Sequence, residues 1–286
     1  LDIKENGKNI KFGFTGDIGR PHLPILRDPD HMGDVDFMIS ESTYGGRVHD
    51  KAIDMDAQLL AVVKEALQRG GKIIVPAFSV GRTQEIVYSL SKLFSKNLLP
   101  KIPIFVDSPL STNVSDIFKL HHECFDKETA ELISRGVDVF GFSNLTYIKD
   151  VEDSKQLNYF KGPCMIISAS GMCESGRIVH HLRNNIGSEK NTILIVGYQA
   201  PHTLGRRIVE AEGKQGMFVR IFGEEHAVKA KIYVLNSFSA HADRDELREY
   251  FGKFTKGSLD KIFLVHGDPD QQEALKSMLG DMNYKD

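Results

Sequence analysis

Two carboxylates and two histidines stand at or near the ends of short apolar runs. Phe14-Thr15-Gly16-Asp17 closes one run, and Phe37-Met38-Ile39-Ser40-Glu41 closes a second. Leu264-Val265-His266-Gly267 closes a third, and Ser239-Ala240-His241-Ala242-Asp243 precedes it. In α/β proteins a rigid sheet stops at such places and polar groups converge, so metals and acid/base residues are commonly mounted there. Asp17 has two carboxylate oxygens and suits a bridge between two metal ions; it equally suits a turn in which it bonds nearby backbone N–H groups. His266 suits a metal ligand or a plain strand-to-helix turn. Glu41 and His241 suit an acid/base pair. A carboxylate bonded to one imidazole nitrogen fixes the tautomer, and the other nitrogen then delivers a proton to a leaving oxygen. The plainer alternative is a Glu41 that caps Ser42 or Thr43 and an unrelated histidine in a serine-rich loop. A catalytic zinc takes about three protein ligands, yet no His-x-His or His-Glu-x-x-His cluster occurs in the sequence. The site reads as half a site.

A second group of residues suits an anion. Ser168-Ala169-Ser170-Gly171-Met172 follows an apolar run and leads through Glu174-Ser175-Gly176 towards a helix. Small residues at such a point let backbone N–H groups approach phosphate, or simply form a tight loop. Pro76-Ala77-Phe78-Ser79-Val80-Gly81-Arg82 follows another run in the same way, and Gly205-Arg206-Arg207 opens a further helix. Arg82 and Arg206 would lie beyond the ends of parallel strands, where arginine grips phosphate, or they are surface arginines on solvated faces. His121-His122 and His180-His181 are adjacent residues on helices, which point in different directions; they are expected at the surface or partly packed, without forming a chelate.

The elements that must position these groups follow from apolar periodicity. Strands are expected over 10–14, 35–40, 72–75, 102–106, 164–167, 192–196, 231–235 and 261–265. Helices are expected over 54–68, 83–93, 112–120, 127–134, 151–157, 176–184, 204–210, 243–254 and 270–279. Alternating strands and helices predict an α/β protein with largely parallel strands. The boundaries are expected near Gly45-Gly46 and just before Asn236, so that the middle of the chain is one α/β domain and the outer pieces belong together.

Composition narrows the class. The chain has 286 residues, 41% of them hydrophobic, and a net charge of -3. This is enough apolar residue for a packed core, and the near-neutral charge leaves a local arginine cluster as the route to nucleic acid. No apolar run reaches the roughly 20 residues of a membrane span, and no signal peptide is visible. Three cysteines without metal-type spacing predict reduced, cytoplasmic usage. The chain starts Leu1-Asp2-Ile3-Lys4, which reads as a strand already under way inside a longer protein.

In this order, the strings Phe14-Thr15-Gly16-Asp17, Ser40-Glu41-Ser42-Thr43-Tyr44-Gly45, Ser237-Phe238-Ser239-Ala240-His241 and Val265-His266-Gly267 resemble the metallo-β-lactamase-fold nucleases of the β-CASP group. Ala77-Phe78-Ser79-Val80-Gly81-Arg82-Thr83-Gln84-Glu85, Val106-Asp107-Ser108-Pro109, Ser168-Ala169-Ser170-Gly171-Met172 and Gly197-Tyr198-Gln199 are similar to the inserted β-CASP domain. The resemblance covers essentially the whole chain. It implies a partial metallo-β-lactamase αββα sandwich (1–47 and 236–286) interrupted by a β-CASP domain (48–235) with a mainly parallel sheet flanked by helices. It implies that Asp17 and His266 are metal ligands of a two-zinc site, that Glu41 and His241 are catalytic, and that Arg82, Ser168, Ser170, Gly171 and Arg206 position RNA phosphates. The family's His-x-His-x-Asp-His motif is absent from these residues, so the chain itself is expected to be metal-poor or metal-free.

The function implied is a zinc-dependent ribonuclease acting on single-stranded RNA in RNA processing or decay. No membrane partner is expected, and a homo-oligomer is compatible with the sequence. The alternative is a non-catalytic RNA-binding or complex-assembly homologue. A nucleotide-binding α/β protein would carry a Gly-x-Gly-x-x-Gly or Walker string after a strand, and neither occurs.

Overall fold

The computed structural model of the chain describes residues 1–5, 7–49, 55–235 and 239–284. The first residue of the expected helix 54–68, the boundary at Asn236, and Ser237 and Phe238 lie outside the described residues. In chain order the described elements are β1 (Asp2–Glu5), β2 (Lys8–Phe14), β3 (Phe37–Glu41), α1 (Met55–Arg69), β4 (Ile73–Pro76), α2 (Arg82–Ser95), β5 (Ile104–Asp107), α3 (Pro109–Leu120), α4 (Lys127–Ser134), β6 (Leu145–Ile148), α5 (Val151–Tyr159), β7 (Met165–Ser168), α6 (Arg177–Asn185), β8 (Thr192–Val196), α7 (Leu204–Glu210), β9 (Phe218–Ile221), β10 (Glu224–Ala227), β11 (Lys231–Leu235), α8 (Arg244–Gly252), β12 (Lys261–Val265) and α9 (Pro269–Asp281). They divide into two compact units, Leu1–Asp50 with Ala240–Asp286, and Lys51–Ser239.

The larger unit is built on a six-stranded parallel sheet in the order β11-β8-β4-β7-β5-β6. Its central strands read as unbroken apolar runs because both faces are covered. Ile73, Val75, Ile167 and Leu194 face α1 and α2, meeting Leu59, Val63, Ile86 and Leu90. The alternate residues Ile74, Ile166, Ile193 and Ile195 face the other layer, with Ile178 and Leu182 of α6 and Ile208 of α7. The period of two thus sorts one run into two cores. A two-stranded antiparallel ribbon, β9 with β10, belongs to the same unit.

The smaller unit holds a four-stranded sheet in the order β1-β2-β3-β12. β1 is antiparallel to β2, whereas β2, β3 and β12 run parallel, with Phe14 opposite Ile39 and Val265 opposite Glu41. One face packs Met38 against Leu247 and Phe251 of α8 and Leu275 and Met278 of α9. The other face presents Phe14, Phe263 and Val265, all exposed.

Where element ends differ from expectation, local chemistry accounts for it. α3 starts at Pro109 rather than at 112, because the Ser108 side chain accepts the Ser111 N–H and proline occupies the first turn. α8 starts at Arg244 because Asp243 is its cap, in a reciprocal box with Glu246. The strand expected over 35–40 runs from Phe37 to Glu41, which brings Glu41 inside the sheet. β1 covers the opening residues that read as a strand, whereas β6, β9 and β10, each of four residues, were not expected.

Candidate functional site

Three parallel strands of the smaller unit end on one edge, and that edge carries Asp17, Glu41 and His266. Beyond β2, the Thr15 N–H donates to the Ile39 carbonyl at 3.1 Å and Gly16 adopts φ 57°, turning Asp17 over the sheet end. Glu41 is the last residue of β3 and is buried. Beyond β12, His266 adopts φ 51°, a conformation that costs energy for a residue with a Cβ. Its carbonyl oxygen lies 2.9 Å from the Thr43 hydroxyl oxygen. Gly267 then lies so close to Ser42 that a Cβ there would stand 2.6 Å from Ser42 Oγ. His241 enters from a separate segment. The Ala242 N–H donates to the Ile18 carbonyl at 2.8 Å, and the Arg20 N–H donates to the Ala240 carbonyl at 3.1 Å.

These contacts gather all four expected residues. Nδ1 of His241 lies 3.0 Å from Glu41 Oε2, and Nδ1 of His266 lies 3.3 Å from Asp17 Oδ1. Asp17, His241 and His266 each offer a ligand atom, all within 4.8 Å of one another. Burial on its own pushes the Glu41 carboxyl up. Hydrogen bonds from His241, Thr43 and the Ile18 N–H outweigh burial and hold it below its ordinary value. Glu41 is therefore ionised at neutral pH and accepts only, so Nδ1 of His241 carries the hydrogen that lies between them.

His49 was missed by sequence reasoning, and Thr43, expected only as a local partner of Glu41, reaches further. The Thr43 hydroxyl donates to Glu41 Oε2 and lies 3.2 Å from Nδ1 of His266, so one side chain touches both the acid/base pair and a metal-type histidine. Nε2 of His49 bonds the carbonyl of His241 at 3.0 Å, and the His49 N–H donates to Asp243 at 2.8 Å, which pins the loop that carries His241. The signal was present as Thr43 two residues after Glu41 and His49 eight residues after it, but nothing in the sequence says which side chains fold back.

The other expected site residues belong to the larger unit. Ser168 ends β7 and donates to the Asp107 carbonyl at 2.8 Å. Ser170 Oγ accepts the Ser175 N–H at 3.4 Å, and Gly171 is buried beneath the Phe78 ring. Arg82 is buried and paired with Glu85; Arg206 pairs with Glu210 at 2.9 Å across one helical turn. The reading of His181 as a surface or partly packed residue is corrected. It is 2% exposed, with Nε2 lying 2.6 Å from Asp107 Oδ2, because α6 packs this side chain onto the end of β5. Its neighbour His180 faces out against Phe222, so the two rings form no chelate.

A Beta-Casp domain model matches residues 83–208, and a model described as the Zn-dependent metallo-hydrolase RNA specificity domain matches residues 225–285. The chain is 33% identical over 277 residues to Ribonuclease TTHA0252 of Thermus thermophilus, covering 97% of this chain and 62% of that protein. The chain belongs to the β-CASP metallo-β-lactamase nuclease family. It is also 30% identical over 279 residues to RNase aCSPSF2 of Saccharolobus solfataricus, covering 97% of this chain and 52% of the relative. To Cleavage and polyadenylation specificity factor 73 of Drosophila melanogaster it is 27% identical over 274 residues, covering 94% and 38%. This β-CASP chain therefore spans less than two thirds of the length of each of these relatives. The large parallel sheet flanked by helices agrees with that family's inserted domain. Two imidazoles and a carboxylate converging on one point form a donor set of the kind zinc takes, so the residues of this β-CASP protein fit a metal. No helix among its described residues is long and apolar enough to cross a membrane.

Proposed function

We propose that the protein of which these residues form part is a zinc-dependent phosphodiesterase that cleaves single-stranded RNA. The observation that carries this reading is the Glu41–His241 pair at 3.0 Å beside the ligand atoms of Asp17 and His266. Asp17 and His266 would hold zinc in the whole protein. Bound there, zinc supplies Lewis-acid polarisation of a phosphoryl oxygen and makes water more acidic.

The protein's own residues supply the rest. Glu41 keeps the His241 ring oriented with Nδ1–H towards it; from the doubly protonated ring, Nε2–H gives its proton to the departing ribose oxygen and leaves neutral imidazole. Thr43 keeps Glu41 and His266 in mutual register. Ser168, Ser170 and Gly171, with Arg82 and Arg206, position the RNA chain in the inserted domain. In this reading residues 1–47 and 236–286 form the metallo-β-lactamase part and 48–235 the β-CASP part. The three unpaired thiols suit a reducing, cytoplasmic setting.

His241 sits both against Glu41 and within the metal-type group, and one variant separates the roles. In the full-length protein, His241→Ala should slow cleavage of a labelled RNA oligomer about 10²- to 10⁴-fold with zinc content unchanged by elemental analysis. Loss of zinc would make His241 a ligand instead of the proton donor. An unaltered rate would remove it from the chemistry, and a wild-type protein that binds RNA without cutting it would favour the non-catalytic homologue.

A further inference from the structure

We infer that Phe78 is a stacking platform for an unpaired nucleobase, placed beside the loop that holds the adjoining phosphate. This rests on the RNA reading above and adds a base contact to it. Phe78 lies just beyond β4, where the apolar residues Ile73, Ile74, Val75 and Ala77 are buried, yet it is 46% exposed. Burial is the default for a phenylalanine next to a core, so an open ring at this point calls for another partner.

The ring is held and is not dangling. The Phe78 carbonyl accepts two hydrogen bonds from Thr83, from the N–H at 3.2 Å and from the hydroxyl at 2.8 Å. One side of the ring rests on Gly171, where a Cβ would stand 2.8 Å from Phe78 Cδ2, so only glycine lets the ring settle there. The loop beneath it is fixed in turn. The Gly171 carbonyl accepts Gln199 Nε2 at 3.1 Å, the Ser170 N–H donates to the Ser175 carbonyl at 3.1 Å, and the Cys173 N–H donates to the Ser170 carbonyl at 3.2 Å. Among the described residues the Gly171 and Met172 N–H groups have no acceptor.

A fixed, half-open aromatic face next to unused backbone donors matches what a single nucleotide offers, a flat apolar base joined to an anion. Proteins that bind single strands combine such stacking with backbone contacts to phosphate, and stacking tolerates every base because each has a π-face. Val80, 63% exposed in the same loop, widens the apolar floor.

The sequence supplies its own reporter, because the 286-residue chain contains no tryptophan. In this chain, Phe78→Trp should bind a fluorescently labelled single-stranded RNA as the wild type does, and its lone indole should be quenched when unlabelled RNA is added. An oligomer with abasic sites should bind without quenching. Phe78→Leu keeps an apolar contact on Gly171 but offers no ring; it should weaken RNA binding roughly tenfold with an unchanged thermal midpoint. If the wild type binds RNA while Phe78→Leu binds equally well, or while the indole emission stays constant, the platform is overturned and the RNA reading stands. If the wild type binds no single-stranded RNA, the RNA reading fails and the platform with it.

Discussion

Two carboxylate–imidazole pairs occupy equivalent places in the two compact units, at the ends of parallel strands. Glu41 closes β3 and bonds His241; Asp107 closes β5 and bonds His181. Both carboxyl groups are buried, and both are held below their ordinary value because hydrogen bonds outweigh the burial that alone would push them up. The imidazoles differ. The His241 side chain is 25% exposed beside Asp17 and His266, whereas His181 is 2% exposed with Nδ1 buried and unpartnered. Asp107 is also occupied by Arg177 at 2.7 Å and Ser154 at 2.6 Å. The bonded pair is common to both places; the exposure of the imidazole differs, and the enclosed pair ties β5, α5 and α6 together.

This contrast can be broken most forcefully at Asp107. Asp107→Ala strips a part-buried arginine and a buried histidine of their shared partner and should cost about 4 kcal/mol of stability, read as a lower urea midpoint. A loss under 1 kcal/mol would mean that the cluster is no tie. Glu41→Gln tests the opposite side. It should slow cleavage by the full-length protein about 10²-fold while the urea midpoint moves little; equal damage to folding and rate would erase the distinction. Thr43→Val removes one hydroxyl at constant shape and should cost about tenfold in rate, with Thr43→Ser restoring most of it. Failure of the serine variant to rescue would point to packing by the Thr43 methyl group.

Acid provides the mildest test. A carboxyl whose folded pKa lies below its unfolded value stabilises the fold at pH above the unfolded value, and this contribution is lost as pH falls through the folded one. Asp107 meets that condition. The stability gap between wild type and Asp107→Ala should therefore be full at neutral pH and narrow below about pH 4. A gap that stays constant down to pH 2 would remove the ionised carboxylate from the explanation.

The same contrast shows what the sequence could and could not reveal. β8 spans the residues expected of it, 192–196, because a parallel strand buried along its whole length is apolar nearly throughout. Four-residue β6, with two half-exposed positions, and the polar strand β10 offer no such run. Asp17, Glu41 and His266 were legible because each stands at or beyond the end of such a run. His181 was not, because its helix shows His180 and His181 side by side, and only packing decides which one meets Asp107. The contact of Thr43 with His266 was hidden for a similar reason: it depends on a strand that arrives 223 residues later.

That spacing has a consequence in time. Glu41 and His241 are 200 residues apart, with the whole larger unit between them. At synthesis rates of roughly 5–20 residues per second, β2 and β3 leave the ribosome some ~10–40 s before the segment that supplies His241. The large parallel sheet has its entire sequence available in that interval, whereas β3 waits for β12. The edge that holds Asp17 and Glu41 is thus completed late in biogenesis, and until then the nascent protein carries these two carboxylates without His241 and His266 beside them.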